Sequence, residues 1–379
     1  MSTNRAEAVV NLSAIASNVR TIKARAGVPV MAVVKADAYG HGLLPVARTA
    51  IDAGAQWLGV ALLEEALTIR TGGITAPTIA WLVPPGSDFA SAISADIDLG
   101  VGSLLVFHEI SEAGRKLGRK ARIHIEVDTG MTRGGFLSEW ESFLEVLEKD
   151  SESVEVIGIF SHFARADEPG QPQNVVQLKR FTEMADDLNR IGIQPEIHHL
   201  SNSAATLVDA SSHFDLVRVG IAMYGLTPDL ENLGTSQSLG LIPAMTLRAK
   251  LNAVKPVLEG TPVGYGAIAL TAMDTTVGVV SMGYADGIPR IAQGAGVYMN
   301  GRRCPIIGRV SMDQFVVDLG PDTLAVSGDW VTIFGPGTEG EYTADDWGRA
   351  SLSINYEIVT RIGPRVPRIY EPVTTIGVS

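Results

Sequence analysis

Residues 28–42 read VPVMAVVKADAYGHG, an apolar run that ends at a lysine. A short continuous run of apolar residues is typical of a parallel strand, because helices cover both faces of such a sheet. The run therefore predicts a buried strand over Val28–Val34. Lys35 follows it directly, and a lysine in that position either extends its amine to solvent or takes part in chemistry.

Seven further strand candidates follow along the chain, and helical segments separate them. The eight strands are predicted over Val28–Val34, Trp57–Ala61, Thr78–Val83, Ile97–Val101, Arg122–Val127, Val154–Phe160, Glu196–Leu200 and Leu216–Met223. Segments such as Leu43–Ala53, Ser138–Lys149 and Val175–Ile191 have apolar residues at helical spacing, and Leu12–Ala24 precedes the first strand. Strands joined by helical crossovers predict a parallel (β/α)8 barrel in an α/β fold, with a doubly wound open sheet as the alternative.

The pattern changes after Leu239. Strand-like runs at Ala244–Val254, Thr275–Met282, Val310–Leu319 and Trp330–Phe334 are separated by glycine-rich turns, among them the hairpin signal Asn300-Gly301. A short helical stretch over Ala344–Val359 follows these strands. We therefore expect the barrel to span 10–235 and a mostly-β C-terminal domain to span 1–9 and 239–379, with the boundary near Glu231–Ser238.

The chain has 379 residues, a formal net charge of −12 and one cysteine, Cys304. An acidic surface repels phosphate backbones, so we do not expect nucleic acid as a partner. One cysteine cannot form a disulfide within the chain, which fits a reducing compartment. The sequence has no uncharged apolar stretch long enough to span a membrane, and Met1–Glu7 lacks the apolar run of a secretory signal. We therefore expect a cytoplasmic protein without a membrane span.

Further polar motifs follow the predicted barrel strands, at the ends where barrels carry their active sites. They are Asp128–Gly134, Ser161–Ala164, Ser201–Ser203 and Arg218–Ile221. The last two loops of a barrel often bind phosphate, and here they offer the Ser203 hydroxyl and the Gly220 and Ile221 backbone. Desolvation would lower the pKa of Lys35 and supply the free amine that a Schiff base requires. These features suit a phosphorylated cofactor.

Five runs in order along the chain resemble alanine racemases, and the resemblance covers essentially the whole sequence. The runs are Ala32–Gly42, Asp128–Gly134, Gly220–Gly225, Gly283–Arg290 and Gly308–Gln314. The resemblance implies a barrel that binds pyridoxal 5′-phosphate, a second β domain, and a homodimer with two composite active sites. It also implies interconversion of L-alanine and D-alanine by a two-base mechanism, which supplies D-alanine for peptidoglycan.

The resemblance also assigns roles to residues. Lys35 matches the cofactor lysine that handles the D-enantiomer, and Tyr265 matches the tyrosine of the partner subunit that handles the L-enantiomer. The expected phosphate contacts are Tyr39, Ser203, Gly220, Ile221 and Tyr356. His162 is expected against the cofactor ring, Arg218 at the pyridine nitrogen, and Arg133 and Met312 beside the substrate. Glu126, Asp313 and Tyr284 are expected as supporting residues, and Tyr284, Arg290, Arg309 and Ile354 as gate or dimer-contact residues. No metal ligands are expected.

An arginine at the cofactor nitrogen has a chemical consequence. Because Arg218 stays charged, it would discourage protonation of that nitrogen, and we hypothesise that it suppresses transamination.

Three positions depart from the family pattern. Glu126 stands where many relatives carry a lysine that is carbamylated by CO2. Its carboxylate keeps the negative charge that can orient Arg133, although the side chain is shorter. We therefore expect activity that does not depend on CO2. Ser311 replaces a common cysteine and Ile288 a common tyrosine, and both changes could alter the access channel.

Two other functions remain as alternatives. A barrel-fold pyridoxal-phosphate decarboxylase usually has a catalytic cysteine in its β domain, whereas Cys304 lies outside the matching runs. A pyridoxal-phosphate carrier would not need the second domain that supplies Tyr265 and Met312. A racemase of another small amino acid, such as serine, is a further possibility within the same chemistry. A metal site has little support, because the adjacent His198 and His199 would point to opposite faces of a strand.

Overall fold

The computed structural model describes residues 3–150 and 152–373, so the outermost parts of the predicted C-terminal domain, 1–2 and 374–379, lie outside the described residues. The elements of the first half are β1 (Ala6–Asn11), α1 (Leu12–Ala26), β2 (Val30–Val33), α2 (Lys35–Tyr39), α3 (Leu43–Asp52), β3 (Trp57–Val60), α4 (Leu63–Thr71), β4 (Thr78–Ala80), α5 (Phe89–Ser94), β5 (Asp98–Val101), α6 (Leu104–Leu117), β6 (Ala121–Glu126), α7 (Trp140–Lys149), β7 (Val154–Phe160), α8 (Pro172–Arg190), β8 (Ile197–His199), α9 (Ser203–Val208), β9 (Val217–Val219) and α10 (Leu230–Leu233). Strands β2 to β9 form the first domain, and helices α3 to α9 join them in turn.

The strands of the first domain form a barrel rather than an open sheet. They are parallel and follow the order β8-β7-β6-β5-β4-β3-β2-β9, so that β9 returns to pair with the first barrel strand. Between β8 and β9 the backbone joins through two hydrogen bonds, from Asp215 N to His198 O at 3.1 Å and from Arg218 N to Ser201 O at 2.9 Å. These bonds close the seam and confirm the predicted (β/α)8 architecture.

The helices form where the sequence supplies both an apolar face and defined ends. In α6, Val106, Phe107 and Ile110 are buried against the barrel, as their helical spacing requires. The Ser103 side chain accepts a hydrogen bond from the Val106 amide at the start of the helix, and Gly118 ends it in the left-handed conformation.

Three predicted elements are wrong in part. The strand predicted over Leu216–Met223 ends at Val219, because the backbone turns at Gly220 and continues as a 3-10 helix over Ile221–Tyr224. The strand predicted over Val310–Leu319 begins only at Phe315. The helical stretch predicted over Ala344–Val359 is two helices, separated at Leu352, which has a positive φ of 57°. Apolar content does not report such local changes of backbone direction.

The second domain is a mostly antiparallel sheet. Its elements are β10 (Met245–Val257), β11 (Pro262–Val263), β12 (Ala269–Leu270), β13 (Thr275–Val280), β14 (Gly296–Met299), β15 (Arg302–Pro305), β16 (Phe315–Asp318), β17 (Trp330–Phe334), α11 (Ala344–Ala350), α12 (Asn355–Thr360) and β18 (Arg368–Glu371). The main sheet has the order β15-β14-β17-β10-β1-β18, so the first strand of the chain belongs to this sheet. The hairpin predicted at Asn300-Gly301 is confirmed, with both residues at positive φ.

Side-chain hydrogen bonds join the two domains. Asn18 on α1 donates to Met223 O and Ile242 O and accepts from Ile242 N at 2.9 Å, so one amide ties the helix to the connection between the domains. Arg368 on β18 donates to Gly40 O at 2.8 Å, beside the turn that carries Lys35. The second domain therefore supports the segment that follows the first barrel strand.

Across residues 3–150 and 152–373, no helix is long and apolar enough to cross a membrane.

Candidate active site

A cavity of about 370 Å³ opens at the carboxyl ends of the barrel strands. Its lining residues are Val33, Lys35, Tyr39, Trp81, Glu126, Arg133, Phe160, His162, Asn202, Ser203, Arg218, Gly220, Ile221, Tyr356 and Thr360. The lining includes every residue that the sequence predicts for cofactor binding, together with Arg133 and Glu126. One chain therefore brings these ten side chains and backbone positions to a single cavity.

Lys35 lies at the start of α2, a turn with an uncommon backbone. Ala36, Asp37, Ala38 and Tyr39 all have φ between 52° and 54°, which gives four non-glycine residues in the left-handed region. This conformation costs roughly 1–2 kcal/mol per residue and persists only where the surroundings enforce it.

Neighbouring side chains hold this turn in place. The Glu65 carboxylate accepts from Ala36 N at 2.6 Å, and the Asp37 carboxylate accepts from Leu43 N at 2.8 Å. Gly40 completes the turn, and a Cβ there would lie 2.3 Å from Val359 O. The left-handed turn thus carries Lys35 and Tyr39, which both line the cavity.

The environment of Lys35 favours a neutral amine. Burial lowers the pKa of Lys35, and the nearby charges of Arg133 and Arg218 lower it further, while Glu65 opposes them. Its Nζ lies 6.0 Å from the centre of the Trp81 ring. A lowered pKa raises the fraction of the amine that can act as a nucleophile at neutral pH.

Neutral hydrogen-bond donors form a second group in the cavity lining. Ser203 Oγ accepts from Gly220 N at 3.0 Å and leaves its own proton free to donate. Tyr39 and Tyr356 also line the cavity, and burial raises the pKa of both hydroxyls, so they stay protonated and can donate. A Cβ at residue 220 would lie 2.3 Å from Tyr39 Oη, so a larger residue there would displace the tyrosine ring. Hydroxyls and backbone amides of this kind suit a phosphate group.

Arg218 extends from β9 into the barrel and is buried. Its guanidinium donates to His199 O at 2.6 Å, Ser161 O at 2.7 Å and Leu200 O at 3.1 Å. Burial lowers its pKa to about 10, which still leaves the group charged at neutral pH. Three carbonyl acceptors therefore fix the orientation of a permanent positive charge.

His162 lies beside this guanidinium and is neutral. Burial lowers its pKa to about 3, with further lowering by Arg218, Arg133 and Lys35. Its Nδ1 lies 3.3 Å from Arg218 Nη2 and accepts from it, so the ring proton is on Nε2.

Glu126 and Arg133 interact through charge rather than by direct contact. Burial raises the pKa of Glu126, and the charges of Arg133 and Arg218 partly offset this effect. Within the described part of the chain, no ion pair of 4.0 Å or less joins Glu126 to Arg133. The loop before Arg133 is shaped by Asp128, whose Oδ1 accepts from the backbone amides of Gly130, Met131 and Thr132 at 2.8 to 3.1 Å.

Four residues predicted for catalysis, substrate binding or support lie elsewhere in the single chain. Tyr265 is 69% exposed in a short 3-10 turn of the second domain, and Met312 is 53% exposed. Tyr284 is also exposed, and Asp313 forms an ion pair with Arg365 at 2.7 Å. None of the four lines the cavity formed by their own chain.

Sequence reasoning missed some of the lining residues. Asn202 belongs to the motif Ser201–Ser203 that was singled out, although no role was predicted for it. Trp81 was predicted inside the strand Thr78–Val83, but it follows the end of β4 at Ala80 and so lies at the face of the barrel where active sites form. Thr360 comes from the end of α12, far along the sequence, and no pattern indicated it. Among residues 3–150 and 152–373, no group of three or more side chains could hold a metal ion.

Two family profiles match the chain, the alanine racemase N-terminal domain over 10–228 and the alanine racemase C-terminal domain over 244–370. The chain belongs to the alanine racemase family. The alanine racemase of Frankia casuarinae is 49% identical over 372 residues, covering 97% of this chain and 96% of the relative. These matches confirm the resemblance found in the sequence.

Solved alanine racemases share the whole fold. The crystal structure of the enzyme from D-cycloserine producing Streptomyces lavendulae has a TM-score of 0.96 at 47% identity, covering 98% of each chain. An alanine racemase from Bartonella henselae with covalently bound pyridoxal phosphate has a TM-score of 0.85 at 29% identity, covering 97% of this chain and 99% of that one. The chain is thus an isomerase of a family that depends on pyridoxal phosphate.

The cavity fits the cofactor of the alanine racemases. An amine with a lowered pKa lines it, and Ser203, Gly220 and the tyrosine hydroxyls offer phosphate donors. Arg218 and His162 add a fixed charge and a neutral ring to the same lining, which suits a flat heteroaromatic group. Lys35 would form the covalent link.

Replacing Gly220 with alanine should weaken cofactor binding. The new Cβ would overlap Tyr39 Oη, and overpacking of this kind costs about 1–3 kcal/mol, or roughly tenfold to hundredfold in affinity. Equilibrium dialysis with pyridoxal phosphate measures the change. Gly363→Ala is the control, because its Cβ would have only an ordinary contact at 3.8 Å. Equal affinity in both variants would contradict the assignment.

Replacing Arg133 with glutamine should raise the pKa of Lys35. Arg133 lowers that pKa through its charge, so its removal makes the amine retain its proton to higher pH. The pH dependence of covalent pyridoxal-phosphate attachment, followed by absorbance, should move to higher pH. Arg165→Gln removes an exposed arginine that pairs with Glu168 and should leave the profile unchanged. A shift to lower pH in Arg133→Gln would rule out this coupling.

Proposed function

We propose that this chain interconverts L-alanine and D-alanine, with Lys35 and Tyr265 as proton carriers on opposite faces of the α-carbon. The observation that carries the proposal is that the two predicted proton carriers lie in different domains. Lys35, Arg218 and His162 line one cavity, whereas Tyr265 lies exposed on the other domain of the same chain. A racemase needs a group on each face, because one base cannot serve both without turning the substrate over.

Bound pyridoxal phosphate would withdraw electrons from the α-carbon and make its proton acidic. The residues of the chain then decide where the proton goes. Lys35 Nζ, with its lowered pKa, would take or return a proton on the face nearest to it. Arg218 stays charged and would disfavour a second positive charge on the adjacent ring nitrogen. Protonation would thereby be directed to the α-carbon, which is the outcome that racemisation requires.

Tyr265 would come from the second subunit of a homodimer. The surface around it carries exposed apolar side chains, which commonly mark a protein interface. They include Leu258, Ile268, Leu270 and Met273. A second copy that covers this surface would bring Tyr265 and Met312 to the cavity of the first. We therefore propose a homodimer with two composite sites, in which a monomer is inactive.

The proposed substrate is a small amino acid, with alanine first. Arg133 lines the cavity and supplies a charge for the substrate carboxylate, as it matches the substrate-binding arginine of the family. The D-alanine formed would serve as a precursor of peptidoglycan. We further propose that the protein acts in the cytoplasm, since the free thiol of Cys304 fits a reducing compartment.

Complementation between two inactive variants tests the shared site. Lys35→Ala and Tyr265→Phe should each abolish most of the racemisation of alanine. Mixed after dissociation and reassociation, they should recover roughly a quarter of the wild-type rate, because each mixed dimer has one intact site and one doubly altered site. Chiral chromatography of the alanine measures the recovery.

The recovered rate distinguishes a site shared between two subunits from a site formed within one chain. If Lys35 and Tyr265 acted in the same chain, every site in the mixture would lack one of them and no activity would return. Tyr298→Phe serves as the control, because it removes a hydroxyl that donates to Glu339 O on the surface. In an equal mixture with Lys35→Ala, the rate should reach no more than about half of the wild-type rate, because only half of the sites contain an intact Lys35. Release of CO2 from alanine by the wild-type protein would instead indicate a decarboxylase.

A further inference from the structure

A chain of hydrogen-bonded side chains runs through the inside of the barrel below Arg218. Arg218 Nη1 lies 3.4 Å from His199 Nδ1, and His199 Nε2 lies 2.9 Å from His124 Nδ1. His124 Nε2 in turn lies 3.2 Å from Asp98 Oδ2. Asp98 accepts a second contact from Arg122, whose Nε lies 2.7 Å from Oδ1. Asp98, His124 and His199 are all buried.

This chain of hydrogen bonds follows the barrel axis from one end to the other. Asp98 opens β5 at the amino end of the strands, His124 lies within β6, and His199 ends β8 at the level of the cavity. Apolar side chains form the rest of this interior, namely Met31, Trp57, Ile79, Ile157, Phe160 and Leu216. Burying polar groups there is costly unless each is hydrogen-bonded, so a chain of this length requires an explanation.

The surroundings make room for the two imidazoles and hold them. A Cβ at Gly158 would lie 2.4 Å from His124 Nδ1, so the strand beside it must carry a glycine. The Trp57 ring meets His124 edge-on at 5.3 Å, and Phe160 stacks on His199 at 5.0 Å. The imidazoles therefore have defined orientations.

Every hydrogen bond in this series is donated in the same direction, from Arg218 toward Asp98. Burial opposes the ionisation of Asp98, but hydrogen bonds from His124 and Arg122 outweigh it and hold the pKa below its ordinary value. An ionised carboxylate only accepts, so His124 donates to it from Nε2. At the other end the guanidinium of Arg218 only donates, so His199 accepts at Nδ1 and carries its proton on Nε2, which faces Nδ1 of His124. That Nδ1 accepts from His199 Nε2. Burial and the charge of Arg218 lower the pKa of His199 well below its ordinary value, so it is neutral, and its Nδ1 is free to accept from Arg218.

We propose that Asp98 and His124 are positioning residues for the reaction, because they fix His199 in the tautomer whose Nδ1 accepts from Arg218. The inference rests on the proposed role of Arg218 beside the cofactor ring. With the opposite tautomer, a proton on His199 Nδ1 would face a guanidinium N–H, and two donors would oppose each other in a buried site. The carboxylate at the far end of the barrel thus decides how the guanidinium is held at the cavity.

The test compares Asp98→Asn with Asp215→Asn. An asparagine at 98 has one acceptor oxygen in place of two, whereas Arg122 donates to both oxygens of Asp98, at 2.7 Å and 3.2 Å. When Arg122 Nε holds that oxygen, the amide nitrogen replaces Oδ2, loses the contact with Arg122 Nη2, donates to His124 Nε2 and reverses the chain of hydrogen bonds. Asp215 pairs with His198 Nδ1 at 2.9 Å on the outside of the barrel, so its replacement removes a His–Asp contact that does not reach Arg218. Both full-length variants are loaded with pyridoxal phosphate and labelled with 15N-histidine.

The 15N shifts of the imidazoles report which nitrogen carries the proton. In the wild type, His124 and His199 should both be protonated at Nε2, and in Asp98→Asn both protons should move to Nδ1. The kcat/KM for alanine should fall roughly tenfold to hundredfold in Asp98→Asn and remain unchanged in Asp215→Asn. If Asp98→Asn does not fold, His124→Phe keeps a ring but breaks the chain. It should leave His199 as a mixture of tautomers with a similar fall in kcat/KM.

Three results would overturn the proposal. They are a wild-type His199 protonated at Nδ1, a reversed chain with unchanged kcat/KM, and a lower kcat/KM in Asp98→Asn without any change of tautomer. The wild-type rate separates this inference from the proposed function. Absence of alanine racemisation in the wild type refutes the function, whereas the tautomers of His199 test the chain of hydrogen bonds in either case.

Discussion

The charge of Arg218, buried near the axis of the barrel, is the constraint on which the site depends. A guanidinium in this position must be satisfied on every side, and the carbonyls of Ser161, His199 and Leu200 provide three of its acceptors. Those carbonyls lie at the ends of β7 and β8, where the barrel seam also closes. The same charge lowers the pKa of Lys35 and His162. The Arg218 guanidinium therefore joins the ends of β7 and β8 and sets the charge of the cavity.

The second requirement is the left-handed turn that carries Lys35. Three contacts hold four non-glycine residues in this backbone. Glu65 accepts from the Ala36 amide, the Asp37 carboxylate of the turn accepts from Leu43 N, and Arg368 of the second domain donates to Gly40 O. The β domain thus has two roles. In its own chain it supports the lysine, and in the proposed dimer it supplies Tyr265 to the other chain. Neither domain alone would form a complete site.

The sequence predicted the barrel and most of the cavity, because apolar periodicity reports burial and strand ends of a barrel meet at one face. It also predicted that His198 and His199 point to opposite sides, as they do. It did not predict the turn at Gly220, the left-handed turn after Lys35 or the chain from Asp98 to His199. Hydrogen-bond direction and positive φ depend on partners distant in sequence, and a single sequence does not reveal them. Whether Tyr265 acts in the partner subunit stays a prediction.

The central claim is that two separate groups handle the proton on the two faces of the substrate. The most direct measurement uses α-deuterated L-alanine in ordinary water and determines the deuterium content of the first D-alanine formed by mass spectrometry. Two carriers predict that this product contains almost only protium, because the deuterium leaves on one face and a solvent-derived proton arrives on the other. Substantial retention of deuterium in D-alanine would show that one group serves both faces and would contradict the account.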